Sequence, residues 1–310
     1  MELNQLRHFL TAARLHNLTL AARELDISQP ALSKSIRLLE QQLGAVLFER
    51  GRFGVRLTRM GEAVLMHSQA IEAQTQSLKT QVEGLKRGHA GLVRIGCGAS
   101  AATALIPVAL SRFAKKRPDV KFNVLYGLNR SLLPWVRSGD IEFALSFAPT
   151  FSGDSDLIYE PLYNEIGCIV ARKDHPLAGT RSVSTARLAG CKWVLSQSLP
   201  LDRLWFQNIF LSRGIDPPDV TVETDSTVLM QSLVASSDFV TILPRDLLSQ
   251  GAEQGLVVEL KTEVPRWSGS VGITRRRRGA LSPAGAAFRD EIKDIVAEGL
   301  PRVRKTLLKR

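Results

Sequence analysis

Long apolar runs and cysteine pairs are missing from this chain. No stretch of about 18 consecutive apolar residues occurs, so we expect no transmembrane helix and no membrane partner. The segment Met1–Gln5 lacks a basic start followed by an apolar run, which argues against a signal peptide. The three cysteines, Cys97, Cys168 and Cys191, are far apart and odd in number, which argues against a disulfide framework and a zinc site. A reduced, cytoplasmic protein without metal or other cofactor is predicted.

Catalytic signatures are missing too. The sequence contains no GxSxG, GxxxxGK[ST], HExxH or CxxC pattern, and its five histidines lie at no ligand spacing. Cys97 ends a predicted strand and is interpreted as a small core residue. A redox sensor with Cys168 or Cys191 as the resolving thiol is the alternative. We therefore predict that the chain is not an enzyme.

Positive charge is concentrated at the two ends of the chain. Residues 1–90 hold 12 Lys and Arg against eight Asp and Glu, and residues 266–310 hold 12 against four. The segment 91–265 is close to neutral, with 17 against 18. A basic excess favours polyanions without sequence preference. The run Arg275–Arg278 and the basic tail are either a solvated strand end and tail or a contact with phosphate or a partner.

The first 44 residues have the pattern of three short helices. Helical spacing relates Leu3, Leu6, Phe9, Leu10 and Ala13. Thr19 is the predicted N-cap of a second helix, and Ser28 caps a third that has Pro30 in its first turn and ends at Gly44. The third helix is expected to bury Leu32, Ile36, Leu39 and Leu43.

A second face of the third helix is polar. Gln29, Ser33 and Arg37 follow one another at i, i+4 and i+8, with Lys34 beside them. Such groups near a helix N-terminus suit base edges and flanking phosphates in the major groove. An ordinary amphipathic surface helix is the alternative.

A hairpin follows the three helices. Residues 46–50 and 55–58 are short β-like runs, and between them lie Gly51, Arg52, Phe53 and Gly54. An arginine at a hairpin tip can enter the minor groove. A helix-turn-helix followed by such a hairpin predicts a winged DNA-binding domain.

Residues 1–61 resemble the N-terminal domain of LysR-type transcriptional regulators. The resemblance rests on SQPALS at 28–33, LE at 39–40, LG at 43–44, LFER at 47–50 and LT at 57–58. Lys34 departs from the arginine frequent in the family, which removes a bidentate fork. The resemblance implies binding to double-stranded operator DNA as a homo-oligomer, a dimer of dimers, with contact to RNA polymerase left open. The residues expected on DNA are Thr19, Ser28, Gln29, Pro30, Ser33, Lys34, Arg37, Arg50 and Arg52.

Residues 59–90 predict one long helix. The segment lacks proline, and a heptad seam is formed by Val64, Ile71, Leu78 and Leu85 with Ser68, Thr75 and Val82. A lone helix would expose this seam, so a partner helix in a dimer is predicted. Packing onto the rest of the same chain is the alternative.

Strand-like and helix-like segments alternate after residue 91, which favours α/β units on a mostly parallel sheet. A weaker resemblance to the LysR family continues here. It implies a two-lobed, periplasmic-binding-protein-like effector domain, with lobe I at 91–162 and 267–302 and lobe II at 163–266. The crossovers are expected near Pro161–Tyr163 and Val264–Trp267. The predicted fold class is therefore α/β with an N-terminal winged helix-turn-helix (1–58) and a linker helix (59–90).

The resemblance places a small-molecule effector between the lobes. Several serines and threonines there precede helices, which suggests a small organic anion, although each also serves as an ordinary N-cap. The residues expected at the effector are Ser100, Ala101, Asn129, Phe147, Ser196, Ser198, Pro200, Ser226 and Thr227.

Two rival functions remain at the level of sequence. One is a small-molecule-binding or catalytic α/β protein whose N-terminal helices only dimerise. The other is a nonspecific nucleic-acid binder driven by the basic C-terminus. The second rival predicts that removing residues 1–58 leaves DNA affinity largely intact, whereas a sequence-specific regulator would lose specific binding.

Overall fold

The computed structural model describes residues 1–51, 54–86, 91–149, 156–198, 200–249 and 255–299. The helices are α1 (Leu3–Leu15), α2 (Leu18–Glu24), α3 (Gln29–Leu43), α4 (Arg59–Lys86), α5 (Ile106–Lys116), α6 (Asn129–Ser138), α7 (Thr185–Ala189), α8 (Pro200–Leu211), α9 (Thr227–Ser236) and α10 (Pro283–Ala297). A π-helical turn (Ala101–Leu105) leads into α5, and a 3-10 turn (Arg245–Ser249) precedes the last strands.

The strands are β1 (Phe48–Gly51), β2 (Gly54–Leu57), β3 (Gly91–Cys97), β4 (Val120–Tyr126), β5 (Phe143–Phe147), β6 (Leu157–Arg172), β7 (Lys192–Leu195), β8 (Val220–Glu223), β9 (Phe239–Pro244), β10 (Val257–Glu259) and β11 (Trp267–Arg276). Of the helices described, none is both long enough and apolar enough to cross a bilayer. The predicted fold class is confirmed: a winged helix-turn-helix, a long linker helix and a two-lobed α/β region.

The N-terminal domain packs α1, α2, α3 and the β1–β2 hairpin around one apolar core. Phe9, Leu32 and Leu39 are fully buried there, and the rings of Phe9 and Phe48 lie 5.2 Å apart. Ser28 caps α3 by accepting a hydrogen bond from the Ala31 amide, and Gly44 ends the helix at φ +65°. The predicted N-cap and C-terminal end of α3 are therefore confirmed.

Two local predictions in this domain were wrong. Asn17, not Thr19, is the N-cap of α2, because its side chain accepts hydrogen bonds from the amides of Thr19 (2.9 Å) and Leu20 (3.1 Å). Leu43 is 41% exposed, because the last turn of α3 extends past the core that Leu39 closes.

The linker helix α4 has two environments. Val64 and Ile71, in its first half, pack against the N-terminal core. Ala73 is fully buried, and Gly139, which ends α6 at φ +81°, lies so close that a Cβ there would overlap the Ala73 side chain. The seam beyond is open, with Leu78 62% exposed. Packing within the chain therefore accounts for the first half of the seam, whereas Leu78 and Val82 stay exposed.

The C-terminal strands form one mixed sheet in the order β4-β3-β5-β11-β6-β9-β7-β8, with β10 added on β6. Neighbours are parallel within each half (β3 with β4 and β5, β7 with β8 and β9) and antiparallel around β6 and β11. The expectation of a mostly parallel sheet is therefore correct for the outer strands of each half and wrong for the central strands β6 and β11.

The strand pair β6–β11 runs without interruption from one half of the sheet to the other. It is in register from Trp267 opposite Gly167 to Arg276 opposite Leu157, with one shift between Val271 and Gly272. The expected crossover at 161–163 lies at that shift, and the one at 264–267 lies where β11 begins. The lobe boundaries themselves stay predictions, because both strands continue through them.

Each half has its own aromatic core. The rings of Phe113, Phe122 and Phe288 meet within 4.6–5.6 Å on one side. On the other, Trp193 lies 4.9 Å from Phe206. Aromatic pairs of this kind add about 0.5–1.5 kcal/mol beyond the area they bury, so each half is stabilised by a core of its own.

The contact between α4 and α6 can be tested with two glycines. Gly139→Ala would place a Cβ against Ala73 in a left-handed conformation, and we expect a loss of about 3 kcal/mol in unfolding free energy. Gly179→Ala is the matched control, because Gly179 has φ +79° and nothing lies within 4 Å of the added Cβ. There we expect about 1 kcal/mol. Equal losses in urea unfolding would contradict the packing account.

The assignment of the α2 cap can be tested by alanine substitution. Asn17→Ala removes both hydrogen bonds to the first turn and should lower the unfolding free energy by about 1 kcal/mol. Thr19→Ala removes no cap and should change it by less than about 0.5 kcal/mol. Urea unfolding followed by circular dichroism measures both, and a larger loss for Thr19→Ala would restore the sequence-based assignment.

Candidate DNA and effector sites

The N-terminal end of α3 presents polar side chains to solvent. Ser28, Gln29, Pro30, Lys34 and Arg37 are all exposed. Short hydrogen-bonding groups and two cations at one end of a helix suit base edges and the phosphates beside them.

Ser33 differs from the expectation of an exposed contact. It is 8% exposed, and its hydroxyl accepts a hydrogen bond of 2.9 Å from the side-chain Nε2 of Gln29. Ser33 thereby holds the Gln29 side chain along α3, and its own DNA contact stays a prediction. Thr19 is exposed in the first turn of α2.

The hairpin is fixed to the helices by its backbone. The carboxylate of Glu40 accepts from the Leu47 amide at 2.8 Å, and the Val55 amide donates to the His16 carbonyl at 2.9 Å. Arg50 belongs to β1, opposite Val55, but its side chain lies outside the described atoms, and Arg52 lies outside the described residues. The wing is thus positioned beside α3, and the roles of its two arginines stay predictions.

A cleft lies between the two halves of the sheet, beyond the carboxyl ends of parallel strands. The segments at its rim follow β3, β4, β5, β7 and β8, where α/β sheets commonly bind ligands. It holds about 880 Å³ of empty space, counting its open mouth. Most of its wall is apolar, from Leu128, Leu145, Phe147, Leu195, Met230, Ile242, Leu243, Pro244, Leu247, Trp267 and Val271.

The cleft collects most of the predicted effector residues. Those lining it are Ser100, Ala101, Asn129, Phe147, Ser196 and Thr227. Ser226 is the N-cap of α9, where it accepts from the Leu229 amide, and Ser198 binds Asp225 instead of lining the cleft. Pro200 begins α8, but its side chain is not described. The structure thus brings six of the residues together, and their contact with an effector stays a prediction.

Two buried polar atoms in the cleft have no hydrogen-bond partner among the described residues. They are the hydroxyl of Ser100, a residue 5% exposed, and Oδ1 of Asn129. The Asn129 side-chain nitrogen is used, because it donates to the Phe147 carbonyl at 3.0 Å. A buried polar group left unpaired costs about 1–3 kcal/mol, so these two atoms mark where a ligand or water would bind.

Asp225 is a cleft residue that sequence reasoning missed. Its carboxylate accepts from the hydroxyls of Ser196 and Ser198, each at 2.6 Å, and forms an ion pair of 2.7 Å with Arg130. Burial alone would raise the pKa of Asp225, but these hydrogen bonds and the Arg130 charge outweigh it and lower the pKa. Asp225 is therefore ionised and already compensated. Its only sequence signal was its place just before the α9 cap.

Contacts across the cleft join its two walls. Arg130 belongs to α6, whereas Asp225 follows β8, so their ion pair spans the opening. Tyr126, at the end of β4, has its hydroxyl 3.4 Å from that of Thr227. The Tyr126–Thr227 contact is solvent-exposed and therefore weak, whereas the ion pair joins an exposed Arg130 to an Asp225 side chain that is only 19% exposed.

The cysteines do not support a redox role. Burial raises the pKa of Cys97 to about 11 and that of Cys168 to about 12. Because the thiolate is the reactive form, both favour the interpretation as small core residues. Within the described part of the chain, no group of three or more His, Cys, Asp or Glu side chains could hold a metal ion.

Comparison with known proteins gives consistent matches along the whole chain. The family model of the LysR substrate binding domain matches residues 86–297, and that of the bacterial regulatory helix-turn-helix proteins of the lysR family matches residues 3–62. The SDS degradation transcriptional activation protein of a Pseudomonas strain is 31% identical over 304 residues, covering 97% of this chain and 98% of the relative. The transcriptional dual regulator GltC of Bacillus subtilis is 29% identical over 288 residues, covering 93% and 95%.

A solved structure supports the same architecture. HinK, a LysR family transcriptional regulator from Pseudomonas aeruginosa, superposes with a TM-score of 0.57 at 23% identity, covering 96% of this chain and 99% of that chain. At this identity the likeness concerns the fold alone. The two family models together span both the helix-turn-helix and the cleft, and so the chain belongs to the LysR family of DNA-binding transcriptional regulators, which are not enzymes.

Proposed function

We propose that this regulator responds to an amphiphilic organic anion, whose charged group meets the Ser100 hydroxyl while its apolar body fills the cleft. The observation that carries the proposal is the buried Ser100 hydroxyl, which has no hydrogen-bond partner among the described residues and lies in a largely apolar cleft. The unpaired Oδ1 of Asn129 is an acceptor and would take a hydrogen-bond donor of the ligand or a water. Ligand sites commonly combine an apolar wall with a few such polar groups.

The helix that starts beside Ser100 supports a negative charge there. Its first backbone hydrogen bond runs from the Ala102 amide to the Gly98 carbonyl, so the amides of Ala99, Ser100 and Ala101 belong to the first turn. First-turn amides have no partner inside a helix and, with the helix dipole, favour anions.

The opposite wall suits the ligand's uncharged part. Among the described residues that line the cleft, Asp225 has the only carboxylate, and Arg130, Ser196 and Ser198 already compensate its charge. The relative named for SDS degradation concerns an alkyl sulfate, which is an anionic amphiphile. This name suggests alkyl sulfates and alkyl carboxylates as first probes.

The exposed helix faces support action as an oligomer on DNA. Leu78 (62% exposed) and Val82 (41% exposed) continue the heptad seam of α4 beyond its contact with α6, and a second copy of α4 would cover them. Two copies of α3 then match two half-sites of an operator. Assembly into a dimer of dimers and action in the cytoplasm, where bacterial DNA lies, are parts of this proposal; contact with RNA polymerase stays a prediction.

The ligand class can be tested by thermal unfolding of the full-length protein. Octyl sulfate and octanoate, below their micellar concentrations, should raise the Tm saturably, whereas octanol should not. Ser100→Ala should weaken binding about tenfold, because a hydrogen bond to a charged group contributes about 1.5–3 kcal/mol. Ser111→Ala, an exposed position on α5, is the matched control. An equal Tm shift with octanol would contradict recognition of an anion.

DNA recognition can be tested by footprinting upstream of the protein's own gene, at physiological salt with excess random DNA. Arg37→Ala should reduce specific affinity at least tenfold, since a direct contact to a base is worth about 1–3 kcal/mol. Lys121→Ala, an exposed cation on β4, should leave it unchanged.

The outcomes separate the alternatives. A base contact would change sequence preference, whereas a phosphate contact would weaken all sites alike and lower the salt slope by about 1. Deleting residues 1–58 should abolish specific binding. If the deleted protein keeps its DNA affinity, the nonspecific binder driven by the basic C-terminus is favoured. If the full-length protein protects all DNA uniformly and the protection fades with salt, the favoured rival is an α/β protein whose N-terminal helices only dimerise.

A further inference from the structure

One large side chain occupies the floor of the effector cleft, the part formed by the central strands β6 and β11. Trp267 lies at the start of β11 and lines the cleft, yet it is only 6% exposed. Most of its indole is therefore packed against the protein, and the small remaining surface borders the space that a ligand would fill.

Two glycines allow the indole to lie close against the backbone of both strands. Gly167 is paired with Trp267 across β6 and β11, and Gly269 lies two residues further along β11, on the same face as Trp267. A Cβ on Gly167 would lie 2.8 Å from Cε3 of the indole, and a Cβ on Gly269 would overlap the far end of the ring. Glycine within a strand often marks such a close approach.

The indole is also held from the side of β5. The rings of Phe147 and Trp267 lie 5.0 Å apart at an angle of 85°, which is the edge-to-face arrangement that aromatic rings favour. Phe147 also lines the cleft, and it lies opposite Val271 of β11. Three neighbouring strands thus fix the position of the indole, which makes it a built part of the cleft surface.

The bulk of the indole occupies volume that a smaller side chain would leave to the cleft. Trp267 is surrounded by apolar lining residues, among them Ile242 and Val271. An apolar cavity opened in a protein stays dry and takes up apolar molecules of matching size. A smaller residue at position 267 would therefore extend the apolar space of the cleft without adding a polar group.

We propose that Trp267 determines the size of the apolar body that the cleft accepts, and that Gly269 positions its ring. This inference rests on the proposed function, because it concerns the apolar part of the same amphiphilic ligand. Each added methylene of a ligand increases affinity about fourfold while there is apolar space to bury it. Where the indole fills that space, a longer chain gains nothing.

The test is isothermal titration of the full-length protein with hexyl, octyl, decyl and dodecyl sulfate, each below its micellar concentration. In Trp267→Leu, the chain that binds tightest should be at least two carbons longer than in the unchanged protein. That longer chain should also bind the variant about tenfold more tightly than it binds the unchanged protein, because two more methylenes are buried. Trp205→Leu is the matched control, since Trp205 is partly buried on α8 and lines no part of the cleft.

A second substitution should change the preference in the opposite direction. Gly269→Ala places a methyl group beneath the far end of the indole, which must then move away from β11 and into the cleft. The chain that binds tightest should become shorter, and decyl sulfate should bind at least threefold more weakly. Gly190→Ala is the control, because an added Cβ there meets only the Arg187 carbonyl, at 3.6 Å. Opposite changes in two variants cannot result from a general loss of folding.

Contact with the indole can be measured without any change of the cleft. Bromine quenches tryptophan fluorescence on contact, so 8-bromooctanoate should quench the emission of the unchanged protein saturably. The quenching should persist in Trp135→Phe and Trp205→Phe, whose side chains lie outside the cleft lining. It should disappear in Trp267→Phe. Quenching that is lost in either of the first two variants, or that persists in Trp267→Phe, would overturn the proposal.

The remaining outcomes separate this inference from the proposed function. If alkyl sulfates bind but Trp267→Leu keeps the preference of the unchanged protein, or if affinity rises fourfold per methylene up to dodecyl sulfate, only the role of Trp267 is wrong. If primary alcohols bind as tightly as the sulfates and their preferred length follows the Trp267 and Gly269 substitutions, the size limit is supported and anion recognition is wrong. Absence of binding by both series would overturn both proposals.

Discussion

The antiparallel pair of β6 and β11 is the constraint on which the rest of the effector region depends. Because both strands continue from one half of the sheet into the other, the halves cannot separate, yet each has its own aromatic core. The pair brings the carboxyl ends of two parallel strand sets to one opening. Residues as distant in sequence as Ser100, Asn129 and Asp225 therefore line the same cleft.

The linker helix α4 connects the N-terminal domain to the sheet, and its contacts with both are close apolar packing more than ion pairs. Its first half belongs to the core of the N-terminal domain, and Ala73 lies against Gly139 at the end of α6. One helix therefore contacts both the core of the N-terminal domain and the first half of the sheet. The exposed residues Leu78 and Val82 follow this contact along α4. The turns of α4 that pack against α6 and the turns proposed to pack against a second copy of α4 are therefore neighbours.

Electrostatic compensation inside the cleft limits what it can bind. In the cleft, the carboxylate of Asp225 is met by Ser196, Ser198 and Arg130, and the remaining wall is largely apolar with two unpaired polar atoms. Such an environment favours a mostly apolar ligand with one charged group.

The sequence alone determined the features that depend on neighbours along the chain. The two ends of α3 are set by Ser28, Pro30 and Gly44, because capping residues and helix breakers act within one turn. The family motif identified the N-terminal domain. Short-range ambiguity explains the α2 cap, since Asn17 and Thr19 both suit that role and only the backbone geometry selects Asn17. The tertiary structure alone decided the Arg130–Asp225 pair and the burial of Arg276. Both depend on segments far apart in sequence, and a run of arginines carries no local sign of which members the fold will enclose.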